Sequence, residues 1–427
     1  MIPLLRRSLR YIGPPWKPLN LKPSNFIINP AQVIEEERLL DYESSKYYPT
    51  QIGEVFQGRY QVIGKMGFGS ISTVWLARDM RYGKHSPEIN PWHDLNSGLW
   101  ILLKASSLCH PQNASFMGKY LNDELKMYER VQRGSRMHRG RHAVRQLHDS
   151  FHVYRSGKKH QCLVHLPLWE NMREFKSRNP INRLTPELMA MLLHRLFLGL
   201  DYLHTECAVI HTDIKEANIL IGMADDDPIF QQIEEEELLK PSVRKEGEDG
   251  NVIYLTRDFE NPQNPGLPVL CDFSAAVSGD EPRTEYAQPD IYRSPEVVLQ
   301  VPWSYKVDIW NVGCMIWDMF QGTPLFSGKD PASQTYRSAV HLAEMIRLLG
   351  PPPQDLLARG QLSRKFFSSD GLFCSELPGQ DLSLVPMDER ESILQGEEKE
   401  EFLRMMHRML QWEPEKRATA KELADDA

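Results

Sequence analysis

Within "VIHTDIKEANIL", residues 209–220, a carboxylate, an ammonium and a carboxamide stand close together as Asp213, Lys215 and Asn218. That grouping suits one kind of chemistry. Asp213 is placed to accept a hydroxyl proton, Lys215 to neutralise a phosphoryl group in transfer, and Asn218 to ligate a metal. Phosphoryl transfer asks for an oriented nucleophile and dense positive charge, with little covalent work by the protein.

Four further features bear on the same chemistry. In "VLCDFSAAV" Asp272 ends an apolar strand, where it is a candidate to hold magnesium between β- and γ-phosphates; a lone Asp after a strand is otherwise a turn residue. Lys104 lies in the apolar run "WILLKA", where an unpaired ammonium is costly, so it needs an anionic partner. Glu124, on the helical segment that follows, is the candidate; a surface lysine is the plainer alternative. "GKMGFGSISTV" offers Gly67 and Gly69, whose backbone N–H groups can approach phosphates closely. Gly-x-Gly is also common in hairpin turns, and Ser72 stands where the usual third glycine would be. Each feature alone is weak. Lys104, Glu124, Asp213, Lys215, Asn218 and Asp272 arriving in this order is a strong joint signal.

The elements that must position these residues follow from the patterning. "RYQVIGKMGFGSISTVWLARD" reads as two strands joined by a glycine turn, "WILLKA" as another, and "CLVHLPL" as a buried strand entering a connector. Leu121, Leu125 and Tyr128 share one face of a helix that carries Glu124, and a basic, flexible stretch, 133–145, follows it. Met189, Leu192, Leu196, Leu200 and Leu203 follow helical spacing in the richest apolar run, which His194, Arg195 and Asp201 interrupt, so it is a core helix. Short strands are expected around 219–221 and 268–271. The fold class is α+β and bilobal, with a small β-rich lobe over 53–167 and a larger helical lobe over 168–427.

The bulk composition limits partners. The chain has 427 residues, 41% hydrophobic and 25% charged, as in an ordinary soluble globular protein. A net charge of −8 argues against nucleic acid as the main partner and is compatible with a basic polypeptide. Residues 223–250 hold ten acids against three bases, so this one stretch accounts for seven of those eight charges. It reads as a solvated acidic loop, or as a docking surface, within an insert at about 223–265 of the larger lobe. The six cysteines are scattered, without a CxxC pair, which suits a reducing compartment and buried thiols. No apolar run is long enough to span a membrane. Residues 1–52 form a lead-in whose first 34 residues contain no acid and five bases. That composition fits either a disordered basic arm or a mitochondrial presequence.

From about Gly53 onward the chain resembles a eukaryotic protein kinase of the CMGC group, and more narrowly an SR-protein kinase. The segments that carry the resemblance are "GEVFQGRYQVIGKMGFGSISTVWLARD", "LGLDYLHTECAVIHTDIKEANIL", "YRSPEVVL", "KVDIWNVGCMIWDMFQGTPLF", "HLAEMIRLLGPPP" and "EPEKRAT". It implies a monomeric serine/threonine kinase that uses ATP and Mg2+. The implied substrates are proteins, Arg/Ser-rich splicing factors among them, in the cytoplasm or nucleus. It places Val74 and Leu220 on the two sides of the adenine and backbone hydrogen bonds to the base at Leu166 and Leu168. It pairs Glu296 with Arg417 and makes Asp308 the cap of the 211–218 loop. Most kinases have arginine before the Asp, where it grips a phosphorylated loop. Kinases similar to this one carry threonine there and are active without that modification, so Thr212 implies constitutive activity.

Several positions depart from the family pattern. Glu216 replaces a proline and is expected to face solvent, or to meet a basic substrate. Ser274 replaces the glycine of the magnesium motif, a change that stiffens the turn and keeps the ligand. Leu102 replaces an alanine and narrows the adenine slot, and His165 sits near the gatekeeper position. Residues 333–349, where the family docks arginine/serine repeats on an acidic helix, contain Arg337 and Arg347 with Glu344 as the sole acid. The alternatives are a pseudokinase scaffold, motivated by Leu102, Ser274 and His165, and a small-molecule kinase, against which "YRSPE" and the segment after "GTPLF" argue.

Overall fold

A computed structural model describes residues 17–70, 72–81, 99–107, 117–155, 157–224, 227–247, 250–258, 261–374 and 383–426. The chain forms two compact units. The first comprises Met1–Asn122, Gln146–Trp169 and Gly222–Gly266; the second comprises Asp123–Arg145, Glu170–Ile221 and Leu267–Ala427.

The first unit is built on an antiparallel sheet of strands β1 (Val55–Phe56), β2 (Tyr60–Phe68), β3 (Ser72–Asp79), β4 (Leu99–Ser107), β5 (Asp149–Arg155) and β6 (Lys158–His165). Their order in the sheet is β1-β2-β3-β4-β6-β5. Side chains alternate between its faces. Ile101 and Leu103 pack with Tyr60, Val62, Trp75 and Ala77 on one face, while Trp100 and Leu102 join Ile63 and Leu76 on the other. Lys104 shares the second face by register and stands between Val74 of β3 and Leu163 of β6.

The acidic insert differs from the expected solvated loop of the larger lobe: it is folded onto the sheet of the first unit. Its helix, Ile229–Leu239, buries Ile229, Phe230 and Ile233 against Trp100 and Leu102, and Phe230 stacks on Trp100 with centroids 6.0 Å apart. The acids of this helix have partners. Glu234 meets Arg78 at 3.2 Å, and Glu237 holds Arg257 and the Ser242 hydroxyl. A hairpin of Arg244–Glu246 with Val252–Tyr254 completes the insert. An overall acid count conceals the short apolar stripe that drives this packing.

Residues 17–50 are likewise packed on the first unit and do not form a free arm. Gln61 exchanges two 2.8 Å hydrogen bonds with the backbone of Leu19. Lys65 of β2 is fully buried, and a buried ammonium demands anions. It finds Glu36, Glu35 at 3.5 Å and the carbonyl of Tyr254 at 3.1 Å. Lys245 of the hairpin pairs with Glu37 at 2.7 Å, so the lead-in and the insert also hold each other. Arg6, Arg7 and Arg10, which prompted the presequence reading, lie outside the described residues.

The second unit is mainly helical. The core helix Pro186–Asp201 starts at the Thr185 cap, whose hydroxyl accepts from the Leu188 N–H, and buries Leu192, Leu196 and Leu200. The central helix Lys306–Gln321 is buried from Val307 onward and closes at Gly322, whose φ of +74° no β-carbon-bearing residue adopts cheaply. Arg417 and Glu296, both fully buried, form the implied pair at 2.6 and 2.7 Å. The basic stretch 133–145, expected to be flexible, is bonded: Arg141 donates to the Tyr202 hydroxyl at 2.6 Å and to the Gly134 carbonyl at 2.9 Å. Cys162, Cys207, Cys271 and Cys314 are buried as expected; Cys374 is exposed, and Cys109 lies outside the described residues. No helix among the described residues is long and apolar enough to cross a membrane.

Candidate active site

The 211–218 loop is anchored from below by the central helix. Asp308, fully buried, accepts the N–H groups of His211 and Thr212, each at 2.8 Å, and the His204 ring at 2.9 Å. This is the capping role implied for it. His204 reaches Asp308 because the core helix loosens into a π-type turn over Tyr202–Glu206. Holding two adjacent N–H groups on one carboxylate fixes Thr212 at φ +63°, an uncommon conformation for a β-branched residue.

Asp213, Lys215 and Asn218 are brought together. Lys215 donates to both Asp213 carboxylate oxygens at 2.8 and 3.1 Å, and the Asn218 amide donates to Asp213 Oδ2 at 2.8 Å. The Asn218 amide also donates to the Asp213 backbone carbonyl at 2.8 Å, which leaves its side-chain oxygen as the candidate ligand. The Asp272 segment is tied to the same loop. Cys271 N–H donates to the Asn218 carbonyl at 2.8 Å, the His211 ring meets the Cys271 carbonyl at 3.0 Å, and the Thr212 hydroxyl donates to the Ala275 carbonyl at 2.8 Å. Asp272 sits at φ +66°, and Ser274 N–H points to its carboxylate at 3.3 Å. Burial pushes the neighbouring Cys271 thiol up to about 11, so at neutral pH it is no thiolate ligand.

An aromatic stack joins these parts. Phe273 packs against His211 on one side and against Tyr128 on the other, with ring centroids 5.3 and 5.0 Å apart. Tyr128 lies one helical turn beyond Glu124 in the helix Met117–Arg133, and Arg130 of that helix meets Asp280 at 2.5 Å. Sequence reasoning missed this stack. The available signal was Phe273 immediately after the metal-binding candidate.

The remaining candidates are distributed between the units. Gly67, Gly69, Val74, Lys104, Leu166 and Leu168 belong to the first; Glu124 and Leu220 belong to the second. Gly67 stands opposite Val74, and a β-carbon on Gly67 would meet no atom within 4 Å, so open space lies over the turn. The Tyr47 hydroxyl braces that turn by donating to the carbonyls of Gly69 and Ser70 at 3.0 and 2.8 Å. Leu166 is exposed and Leu168 half-buried in the connector after β6. Leu220 bridges to Asn171. Among the positions that depart from the pattern, Leu102 packs with the insert helix, and His165 is buried with its ring nitrogen 3.0 Å from the Gln146 carbonyl.

No group of three or more His, Cys, Asp or Glu among the described residues is arranged to hold a metal ion. Asn218 and Asp272, joined through the Cys271 N–H, are the two candidate oxygen ligands. That donor set fits Mg2+, which is commonly held by one or two carboxylates plus substrate phosphates.

A pocket of about 270 Å3 adjoins the loop, lined by Lys215, Glu216, Arg173, Lys176, Tyr292 and Asp318 among others. Here the expectation for Glu216 is corrected. Glu216 is buried and pairs with Lys176 at 2.6 Å, because a lysine buried in the helix Met172–Ser177 needs an anion. Asp318 accepts from the Tyr292 hydroxyl at 2.7 Å and from Leu325 N–H at 2.9 Å. Burial pushes its carboxyl up to about 6.

A β-rich unit carrying a glycine turn and strand lysine, and a helical unit carrying this loop and Asp272, are the parts of a protein kinase fold. The comparisons agree. The protein kinase domain model matches residues 249–427. A serine/threonine protein kinase of Aspergillus fumigatus is 35% identical over 430 residues, covering 100% of this chain and 98% of the relative. The chain therefore belongs to the serine/threonine protein kinases, and within them it is SR-protein-kinase-like. The SRPK of Physarum polycephalum is 28% identical over 409 residues, covering 91% of this chain and 90% of that one. SRSF protein kinase 3 of Mus musculus is 30% identical over 191 residues, 45% of this chain and 30% of the relative. The crystal structure of a kinase domain superposes with a TM-score of 0.62 at 20% identity, over 89% of this chain and 98% of that one, which speaks to fold alone.

Proposed function

We propose that this kinase transfers the γ-phosphoryl group of ATP to serine or threonine of a protein, and that it does so without prior phosphorylation of the segment after Asp272. The observation that carries the second part is the 2.8 Å bond from the Thr212 hydroxyl to the Ala275 carbonyl. This neutral bond ties the loop to the segment after the metal-binding candidate. It does so with no phosphate between them.

In this reading Asp213 orients the acceptor hydroxyl and takes its proton, and Lys215 turns from Asp213 to the phosphoryl oxygens. Lys104 holds phosphate oxygens with Glu124 as its partner, while the Gly67–Gly69 turn covers them. Val74 and Leu220 flank the adenine, and the backbone at Leu166 and Leu168 reads its edge. Asn218 and Asp272 would hold Mg2+, which, when bound, offsets charge on the β- and γ-phosphates. The reading includes a monomer that works in the cytoplasm or nucleus.

The substrate preference follows from charge. Glu344, the one acid of the helix Ser338–Leu349, is already bonded to Ser327 and to Gly328 N–H, so this helix offers a basic repeat little attraction. The test is phosphate incorporation from labelled Mg-ATP into an arginine/serine-repeat peptide and a basic serine peptide without repeats, using wild type and Asp213→Asn. Label in the non-repeat peptide, lowered about 10²–10⁴-fold in the variant, supports this account. Label confined to the repeat peptide keeps the kinase and overturns the substrate preference. No label in either points to a scaffold.

A further inference from the structure

The pocket beside Lys215 is walled by groups of both signs, but their hydrogen bonds are unequally committed. Three of the four oxygens of its two carboxylates accept hydrogen bonds. Glu216 Oε1 receives Lys176 at 2.6 Å, and the two Asp318 oxygens receive Tyr292 and Leu325 at 2.7 and 2.9 Å. Of its three cations, Lys215 is held by Asp213, Lys176 is held in part and Arg173 is open. Lys176 has three N–H donors and meets one acceptor among the described residues. Arg173, exposed on the same short helix, forms no ion pair or hydrogen bond among the described residues, leaving all five of its donors available. With three cations against two carboxylates, and with the Arg173 donors open, the pocket favours an anion.

Position gives that anion its role. Lys215 lines the pocket and touches Asp213 at 2.8 Å, so whatever fills the pocket is a near neighbour of the acceptor hydroxyl. The volume of about 270 Å3 accommodates a side chain and not a second domain or nucleic acid. The geometry points to a substrate subsite for an anionic residue, carboxylate or phosphorylated, flanking the serine or threonine that is modified. Arg173 is its specificity-determining residue and Lys176 its second donor. This inference rests on the kinase reading and names the substrate class of that same site. It also places a cost on arginine at the flanking position, where two like charges would face it.

The test uses the full chain and serine peptides in which one neighbour of the acceptor at a time is Asp, phosphoserine, Ala or Arg, read as kcat/KM. Wild type is expected to prefer the anion over arginine by about tenfold or more at one position, the scale of a single partly screened charge contact. Arg173→Glu should invert that ratio and Arg173→Lys should retain most of it. Because the readout is a ratio within one protein, a loss of total activity does not mimic it. Phosphoserine exceeding Asp would identify a substrate primed by earlier phosphorylation; equal rates would identify an acidic sequence. Label without anion preference, or a preference untouched in Arg173→Glu, overturns this proposal and leaves the kinase reading standing. No label in any peptide overturns both.

Discussion

Thr212 holds a β-branched side chain at φ +63°, and the two oxygens of Asp308 supply what keeps it there. Much at this scale was legible in the chain. Asp213, Lys215 and Asn218 announce themselves because they meet within one short loop, and Glu296 with Arg417 because a family pattern pairs them. Glu216 was not legible: its partner Lys176 lies forty residues away, and the carboxylate was expected to meet solvent or substrate. His341 was equally hidden. Fully buried between Phe326 and the Tyr336 hydroxyl, its ring is pushed down to about 3, by burial first and by Arg293 second. The unfolded chain therefore binds a proton below about pH 6.5 that the fold refuses. Stability should fall as pH drops from 6.5 towards 3, by up to about 1.4 kcal/mol per pH unit for this group. His160, pushed down to about 4 by burial, acts with the same sign. Urea titrations at pH 7.5, 6 and 5 should show a shallower pH slope in His341→Phe than in wild type. Equal slopes would place the proton elsewhere.

Elements were read from periodicity where periodicity dominates. The strands β2, β3, β4 and β6 and the core helix follow the alternation and helical spacing of their apolar residues. The insert and the lead-in were misread because the apolar stripe that packs the insert is short and the charge pairs that tie both down are long-range. Lys65 on β2 recruits Glu36 from the lead-in, and Arg78 on β3 recruits Glu234 from the insert; neither pairing has a local signature. The same observation makes a stability prediction. Lys65→Met strands a buried carboxylate and should cost about 3–5 kcal/mol in urea unfolding. Lys65→Met with Glu36→Leu removes both charges and should recover much of that loss. A single variant as stable as wild type would show that the lead-in does not depend on this pair.

At the scale of the whole molecule, the excess of acid is concentrated in an insert that is structural on the first unit, while the open donors lie at the pocket of the second. Net charge therefore says little about which substrate this kinase accepts. The loop geometry says more about its control. The 211–218 loop, Asp272 segment and the helix bearing Glu124 are joined through Thr212, Cys271 and the His211–Phe273–Tyr128 stack, all by contacts made with unmodified residues. We propose that this assembly is competent as translated. It is tested most directly by treating purified protein with a phosphatase, confirming by mass spectrometry that residues 273–294 carry no phosphate, and measuring the initial rate of peptide phosphorylation from Mg-ATP. The account predicts a rate within about twofold of untreated protein, since neutral hydrogen bonds and packing are untouched by the treatment. A rate that collapses on dephosphorylation and returns when that segment is phosphorylated again would contradict it.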